Sequence, residues 1–246
     1  VAPPGDRLGE PVRIFDGRSA ARRTWAWLAL LCLAAAALVP AAIVYLHDRV
    51  WPVGVPALLL AMGYAAAAGW LAGRDRPRLR ARVAVLHTGG LAVTGPGGGA
   101  YAWDELVSVT VAGIPGGPGG RVRWRFTVVA HDGTVLRLDD GIPDVRRLGM
   151  AVAQEVTARI VPRHLAAVKA GESVRIGPFS VDLDGVGKDG ERLPWSAVRD
   201  VVIGDGLVTV HARPGRSGLA AVASQMPDAL AFCVLCHQVR SLTEHF

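Results

Sequence analysis

Two long stretches without a charged side chain constrain this chain more than any other feature. Thr24 to Leu46 reads TWAWLALLCLAAAALVPAAIVYL, and Val53 to Ala72 reads VGVPALLLAMGYAAAAGWLA. A helix needs about 20 predominantly apolar residues to cross a hydrocarbon core, and each stretch has that length. Trp25, Trp27, Tyr45, Trp51 and Trp70 lie toward the ends, where amphipathic rings prefer the headgroup zone. Only His47-Asp48-Arg49-Val50-Trp51-Pro52 separates the two stretches, so they must turn back on each other as an antiparallel hairpin. Pro52 can open the second helix without losing a hydrogen bond, whereas Pro40 is expected to kink the first. Small residues (Ala34 to Ala37, Gly63, Ala65 to Ala68, Gly69, Gly73) would let the helices approach closely. Homodimerisation through Gly69-xxx-Gly73 is the lesser reading, because that pair sits at the membrane edge.

Flanking arginines predict the orientation. Arg18, Arg22 and Arg23 precede the first span; Arg74, Arg76, Arg78, Arg80 and Arg82 follow the second, and the connecting loop holds only Arg49. The positive-inside bias places both termini in the cytoplasm, in a multi-pass protein of the cell membrane. The competing reading takes Arg22-Arg23 and the first span as an export signal. The apolar run is long for a signal core and lacks a clean cleavage site. Neither span contains an acidic or basic side chain, which argues against an ion pathway or proton relay.

The net charge of +6 is carried almost wholly by arginine, with Lys169 and Lys188 the only lysines and no asparagine at all. That pattern reflects coding bias, so the basicity is poor evidence for nucleic-acid binding, and no nucleic-acid partner is expected. Cys32 lies in an apolar span. Cys233 and Cys236 are three apart in a predicted helix, where they suit neighbouring positions on one face better than a disulfide.

Beyond the arginine cluster the pattern changes to short β-like runs between Gly and Pro turns. These are Arg82 to Leu86, Leu91 to Thr94, Tyr101 to Trp103, Leu106 to Ala112, Val122 to His131 and Thr134 to Leu138. Val145, Leu148, Val152, Val156 and Ile160 then sit three or four apart, which predicts a helix, with a break at Pro162. The same order restarts near Val174. Gly90-Leu91 followed by Trp103-Asp104-Glu105-Leu106 has its counterpart in Gly185-Val186 followed by Trp195-Ser196-Ala197-Val198. The second copy ends in an apolar-faced helix from Pro227 to about Leu242. Two sets of strands, each closed by a helix, suit small sheet-plus-helix lobes.

That order resembles the pleckstrin-homology-like (PH-like) fold of bacterial membrane proteins. More closely, it is similar to an uncharacterised actinobacterial family with a two-span hairpin followed by PH-like lobes. Leu8-Gly9-Glu10-Pro11, Ala102-Trp103-Asp104-Glu105-Leu106, the linker Val161-Pro162-Arg163-His164-Leu165 to Ala170-Gly171-Glu172, and Leu193-Pro194-Trp195-Ser196-Ala197-Val198 carry the resemblance. It implies an α+β membrane protein and a location, and brings no activity with it. The expected organisation is a cytoplasmic N-terminal segment at 1–23, a transmembrane hairpin at 24–73, and PH-like lobes at 80–168 and 172–246.

Several motifs fail on their own chemistry. Cys233-Val234-Leu235-Cys236-His237 matches C-x-x-C-H, the c-type haem attachment pattern. Haem attachment needs an exported cysteine pair, whereas the topology keeps this segment inside and the helical spacing makes the cysteines core residues. Zinc would need a second Cys/His cluster. Asp182-Leu183-Asp184-Gly185-Val186-Gly187 starts like a calcium loop, but Leu193 stands where the bidentate Glu belongs. Gly187-Lys188-Asp189 lacks the Ser/Thr of a phosphate loop. Asp104-Glu105 is replaced by Ser196-Ala197 in the second copy, so capping explains it better than paired-acid catalysis.

The expectation is therefore a non-catalytic, membrane-anchored binding or scaffold protein with no cofactor and no metal. Arg74, Arg76, Arg78, Arg80 and Arg82 are candidate contacts to anionic headgroups of the inner leaflet. Arg121, Arg123 and Arg125, alternating on one strand face, are candidates for an acidic partner. The competing classes are an exported redox protein using the C-x-x-C-H segment and an enzyme acting on lipids.

Overall fold

The computed structural model describes residues 7–74, 82–95, 97–114, 122–215 and 217–243, without the side chains of 19–21 and 74. They form two units. One is helical, Asp16–Val83 with Gly141–Pro143; the other holds the strands and the remaining helices.

The helical unit is α1 (Arg18–His47) and α2 (Trp51–Arg74), packed side by side. Arg49 takes the left-handed conformation (φ 59°) that reverses the chain, and Val50 N–H donates to Tyr45 O at 2.8 Å. Both helices are long and apolar enough to cross a membrane. Their outward faces expose Leu30, Leu33, Ile43, Leu59 and Trp70. Of the small residues expected at the close approach Ala68 is buried, but the glycines among them are not what brings the helices together. Gly63, Gly69 and Gly73 have nothing within 4 Å of where a Cβ would stand, whereas at Gly54 it would lie 2.8 Å from Leu46 Cγ. Ala42, Ala61 and Ala68 are the buried small residues. Gly17 N–H donates to Arg82 O at 3.2 Å, joining the beginning and end of the hairpin. A Cβ on Gly17 would meet that oxygen at 2.9 Å.

In the strand unit, β1 (Pro11–Asp16) precedes α1 by a single residue and β2 (Val83–His87) follows α2. They are nonetheless neighbours in one sheet, ordered β1-β2-β3-β4 with β3 (Gly90–Thr94) and β4 (Gly99–Ala102). The first lobe therefore begins well before residue 80, and the hairpin is an insertion between its first two strands. The segment at 1–23 hides this strand because its apolar residues read the wrong way round. Val12 and Ile14 face out, and only Leu8 and Phe15 are buried.

A 3-10 turn, Trp103–Glu105, leads into the sheet β5-β6-β7: β5 (Leu106–Ile114), β6 (Arg123–Ala130) and β7 (Val135–Leu138). Helix α3 (Val145–Lys169) follows. The same order of elements then occurs again. Strands β8 (Val174–Ile176), β9 (Phe179–Val181), β10 (Gly185–Lys188) and β11 (Glu191–Pro194) form one sheet. After the 3-10 turn Trp195–Ala197, β12 (Val198–Gly204), β13 (Leu207–Ala212) and β14 (Leu219–Val222) form another, closed by α4 (Ala229–Thr243).

Details recur in the same order. Trp103 Nε1 donates to Thr88 O (3.1 Å), and Trp195 Nε1 donates to Asp182 O (2.9 Å). Each indole is thus buried with its one donor satisfied. The register slips between Leu106 and Ser108 in β5, and between Val198 and Asp200 in β12, three residues after each Trp. Gly90 and Gly185 are glycine because a Cβ would lie 2.2 Å from Tyr101 O and 2.1 Å from Leu193 O, respectively.

Helix α3 does not break at Pro162; it runs through to Lys169. Proline there removes one helix hydrogen bond, a cost that reaches about 3 kcal/mol. It is offset because the apolar spacing continues: Val161 and Val168 are buried, and Val168 belongs to the second lobe's core. At its other end Gly149 lets the ring of Phe126 lie against the helix, where a Cβ would come within 2.2 Å. One helix thus serves both lobes. The second core is centred on the stacked rings of Phe179 and Phe232, 4.5 Å apart.

The insertion predicts how the strand unit can be isolated. A chain of residues 7–17 joined to 82–246 by a short linker should unfold at a clearly higher temperature than a fragment starting at Arg80. The fragment loses β1 and the burial of Leu8 and Phe15, each worth about 1.5–3 kcal/mol. Thermal unfolding followed by circular dichroism makes the comparison.

Candidate functional site

The expected arginine clusters divide sharply. Arg76, Arg78, Arg80 and Arg121 lie outside the described residues, as does the side chain of Arg74 at the end of α2. Arg82 is half-buried, its carbonyl engaged by Gly17. Arg123 and Arg125 are exposed on β6, with Thr127 and Val129 following on the same face. The pairing Thr127↔Arg137 sets Arg137 of β7, also exposed, beside them. Across β5 this face continues through Ser108, Thr110, Ala112 and Ile114, so it holds three arginines and no acidic side chain. Arg137 escaped the sequence reading because the register of β6 against β7 is not visible in a run of residues. The opposite face of β6 carries Trp124, Phe126 and Val128; Arg146 lies over the Trp124 ring at 5.0 Å. The corresponding face of β13 and β14 has Leu207, Thr209, His211, Ala220 and Val222, without an arginine.

The other chemical candidates have structural occupations. Cys233 and Cys236 are buried on α4 in the second core. Burial pushes the Cys233 thiol up to about 11 and the Cys236 thiol upward as well, away from reactive thiolate chemistry. His237 is exposed on the other side of the helix. Among the described residues no three His, Cys, Asp or Glu side chains gather as a metal site. The calcium-like loop is a turn: Asp182 Oδ1 accepts from Asp184 N–H (3.0 Å), from Gly185 N–H (3.1 Å) and from Arg192 Nη2. Glu105 Oε2 accepts from Ala102 N–H at 2.8 Å and so caps its own 3-10 turn. Asp104 lies 3.6 Å from Arg159, whose guanidinium sits over Trp103. A shallow cavity of about 390 Å³ in the second lobe is lined by Asp184, Trp195, Ser196, Arg213 and Thr243.

The most constrained acidic group is one that sequence reasoning missed. Asp228 stands before the first residue of α4 in the left-handed conformation (φ 55°), and its carbonyl accepts from Phe232 N–H at 2.9 Å. Its carboxylate reaches the other lobe: Val109 N–H donates to Asp228 Oδ1 at 2.8 Å, and Asp228 N–H donates to Val109 O at 3.0 Å. Val109 is on β5, an edge strand with β6 on one side only. One residue thus satisfies both outward backbone groups of an edge position, as a pairing strand would. The available signal was a repeated tetrapeptide. Ile142-Pro143-Asp144-Val145 before α3 matches Met226-Pro227-Asp228-Ala229 before α4, with Asp144 also left-handed (φ 51°).

Together these features define an α+β protein with two long apolar helices inserted between paired strands, and with an arginine-bearing sheet face. The chain belongs to a family of unknown function (DUF6585), whose family model matches residues 4–244. No curated protein and no solved structure matches it.

Burial raises the Asp228 carboxyl from 3.8 to about 6, against the opposing pull of the hydrogen bond from Val109. The folded state therefore holds this proton more tightly than the unfolded chain. The associated stability is complete below 3.8 and is lost as pH rises through about 6. Asp228→Asn should flatten this dependence while keeping the acceptor. Asp228→Ala should cost about 1–3 kcal/mol at any pH by leaving a shielded N–H unpaired. Denaturant unfolding across pH measures both.

Proposed function

We propose that this protein is a non-catalytic binding or scaffold protein held on the cytoplasmic side of a membrane by its helical hairpin. Its two lobes are PH-like copies of one another that present a sheet face to an anionic surface or a protein. The observation that carries the reading is the insertion itself. A single residue, Gly17, separates β1 from α1, so a lobe tethered this closely to a membrane helix works at the bilayer surface.

Four features support the parts of this reading. The exposed apolar faces of α1 and α2 suit lipid as their solvent. The recurrence of Trp, bulge, Pro-Asp turn and closing helix in the same order supports duplication. The sheets closed by a C-terminal helix support the PH-like comparison. The arginines Arg123, Arg125 and Arg137 supply positive charge to one face of the lobe whose first two strands flank the hairpin in the sequence, and headgroup attraction is worth about 1 kcal/mol per charge. The buried thiols weigh against redox work by the C-x-x-C-H segment, and the engaged carboxylates weigh against a lipid-acting enzyme.

A reporter fused after Phe246 tests the location. An enzyme active only inside the cell should work there, and activity of one that works only outside would overturn the cytoplasmic reading. For the arginine face, the hairpin-deleted chain should sediment with vesicles containing anionic lipid and not with neutral ones. Arg123→Gln with Arg125→Gln should weaken that binding by more than tenfold. Binding independent of anionic lipid would assign the face to a protein partner instead.

A further inference from the structure

The two lobes use the same surface differently. In the first, the open edge of β5 is covered by the turn before α4, with Asp228 bonded to Val109. Thr110 and Val111 beside it are half-buried. In the second lobe the matching residue is Val201, six places after Trp195 as Val109 is six after Trp103. It pairs with Val210 as Val109 pairs with Val128, so its N–H and C=O point outward from β12 in the same way. Among the described residues nothing bonds to them. Val202 and Ile203 alongside are 40% and 46% exposed. One residue earlier, Asp200 Oδ1 is shielded from solvent and makes no hydrogen bond, with Arg199 Nε 3.6 Å away as its ion-pair partner.

The complement of this edge is also present and unused. Asp144 has the left-handed backbone, the preceding proline and the helix start of Asp228. Its side chain is 69% exposed, with Arg147 at 4.0 Å as its partner, and its N–H donates to no group among the described residues. Two residues before Val201 strand β12 is already engaged, Arg240 Nη1 donating to Arg199 O, so the unpaired stretch of the edge starts at Val201. Unpaired edge groups beside apolar side chains are a template for another chain. The contact between the lobes shows which chain chemistry it accepts.

We propose that a second copy of this chain docks its Ile142-Pro143-Asp144-Val145 turn on the β12 edge at Val201, repeating between molecules the Asp228–Val109 contact made within one. Val201 N–H donates to the incoming Asp144 carboxylate, and Asp144 N–H donates to Val201 O. The inference rests on reading the lobes as copies. Each molecule offers one turn and one edge, so the contact is heterologous and propagates head to tail. Confinement of the copies to one membrane would favour it by raising their effective concentration.

The test uses the full chain in detergent, with mass from light scattering over a wide concentration range. The wild-type chain should form species larger than a dimer. Asp144→Ala removes the turn's acceptor, and Val201→Pro removes the outward N–H at an edge position open to proline, together with part of a buried valine side chain. Each alone should be monomeric, and a mixture of the two should form a dimer and nothing larger, because one intact turn then meets one intact edge. If Val201→Pro does not fold by circular dichroism, Ile203→Lys blocks the same edge from an exposed position. A monomeric wild-type chain, assemblies that survive Asp144→Ala, or a mixture that stays monomeric would each overturn the proposal. If the wild-type chain is monomeric while Asp228→Ala still lowers stability, the lobe reading survives and only self-assembly is lost.

Discussion

The architecture depends on one topological constraint: two strands that pair with each other are separated in the chain by both long apolar helices. For β1 to meet β2, the hairpin must bring its last residue back to its first. An antiparallel pair of helices of similar length does this. The Gly17 to Arg82 hydrogen bond then closes the base of the hairpin, in a space too small for a side chain on Gly17. In the intact chain the first sheet is therefore completed by a connection that returns to its own starting point.

A second dependence runs through α3. It starts under β6, where Phe126 lies against Gly149, and ends in the core of the second lobe at Val168. Its continuity through Pro162 gives up one backbone hydrogen bond, and the burial of apolar side chains on both sides of the proline compensates. Asp228 adds a directional contact to this shared packing. Apolar burial tolerates sliding, whereas two hydrogen bonds to one backbone position set a register between lobes. The carboxylate is partly withdrawn from water to make them, and the upward displacement of its pKa reports that cost.

The arginine face and the Pro-Asp turns have different standing in the sequence. Arg123 and Arg125 were visible because alternation along a strand is a property of consecutive residues. Arg137 was not, because its place beside Thr127 depends on how two strands pair. The Pro-Asp turns were visible in principle as a repeated tetrapeptide. The partner of Asp228 was not, since Val109 lies 119 residues away and nothing local marks an unpaired strand edge.

What the sequence by itself determined was everything governed by short-range periodicity. That covers two spans of membrane length, the order of most strands, two closing helices, the Trp-centred recurrence and the core positions of Cys233 and Cys236. Tertiary structure alone decided that Pro11–Asp16 belongs to the first sheet, that α3 passes through Pro162, that Gly54 and not Gly69 brings α1 and α2 together, and that Asp228 joins the lobes. The physical reason is common to all four. Each is settled by a tertiary partner, eight residues away for Gly54 and much farther for the others, whose burial, packing or hydrogen bond outweighs the local preference that the residues express alone.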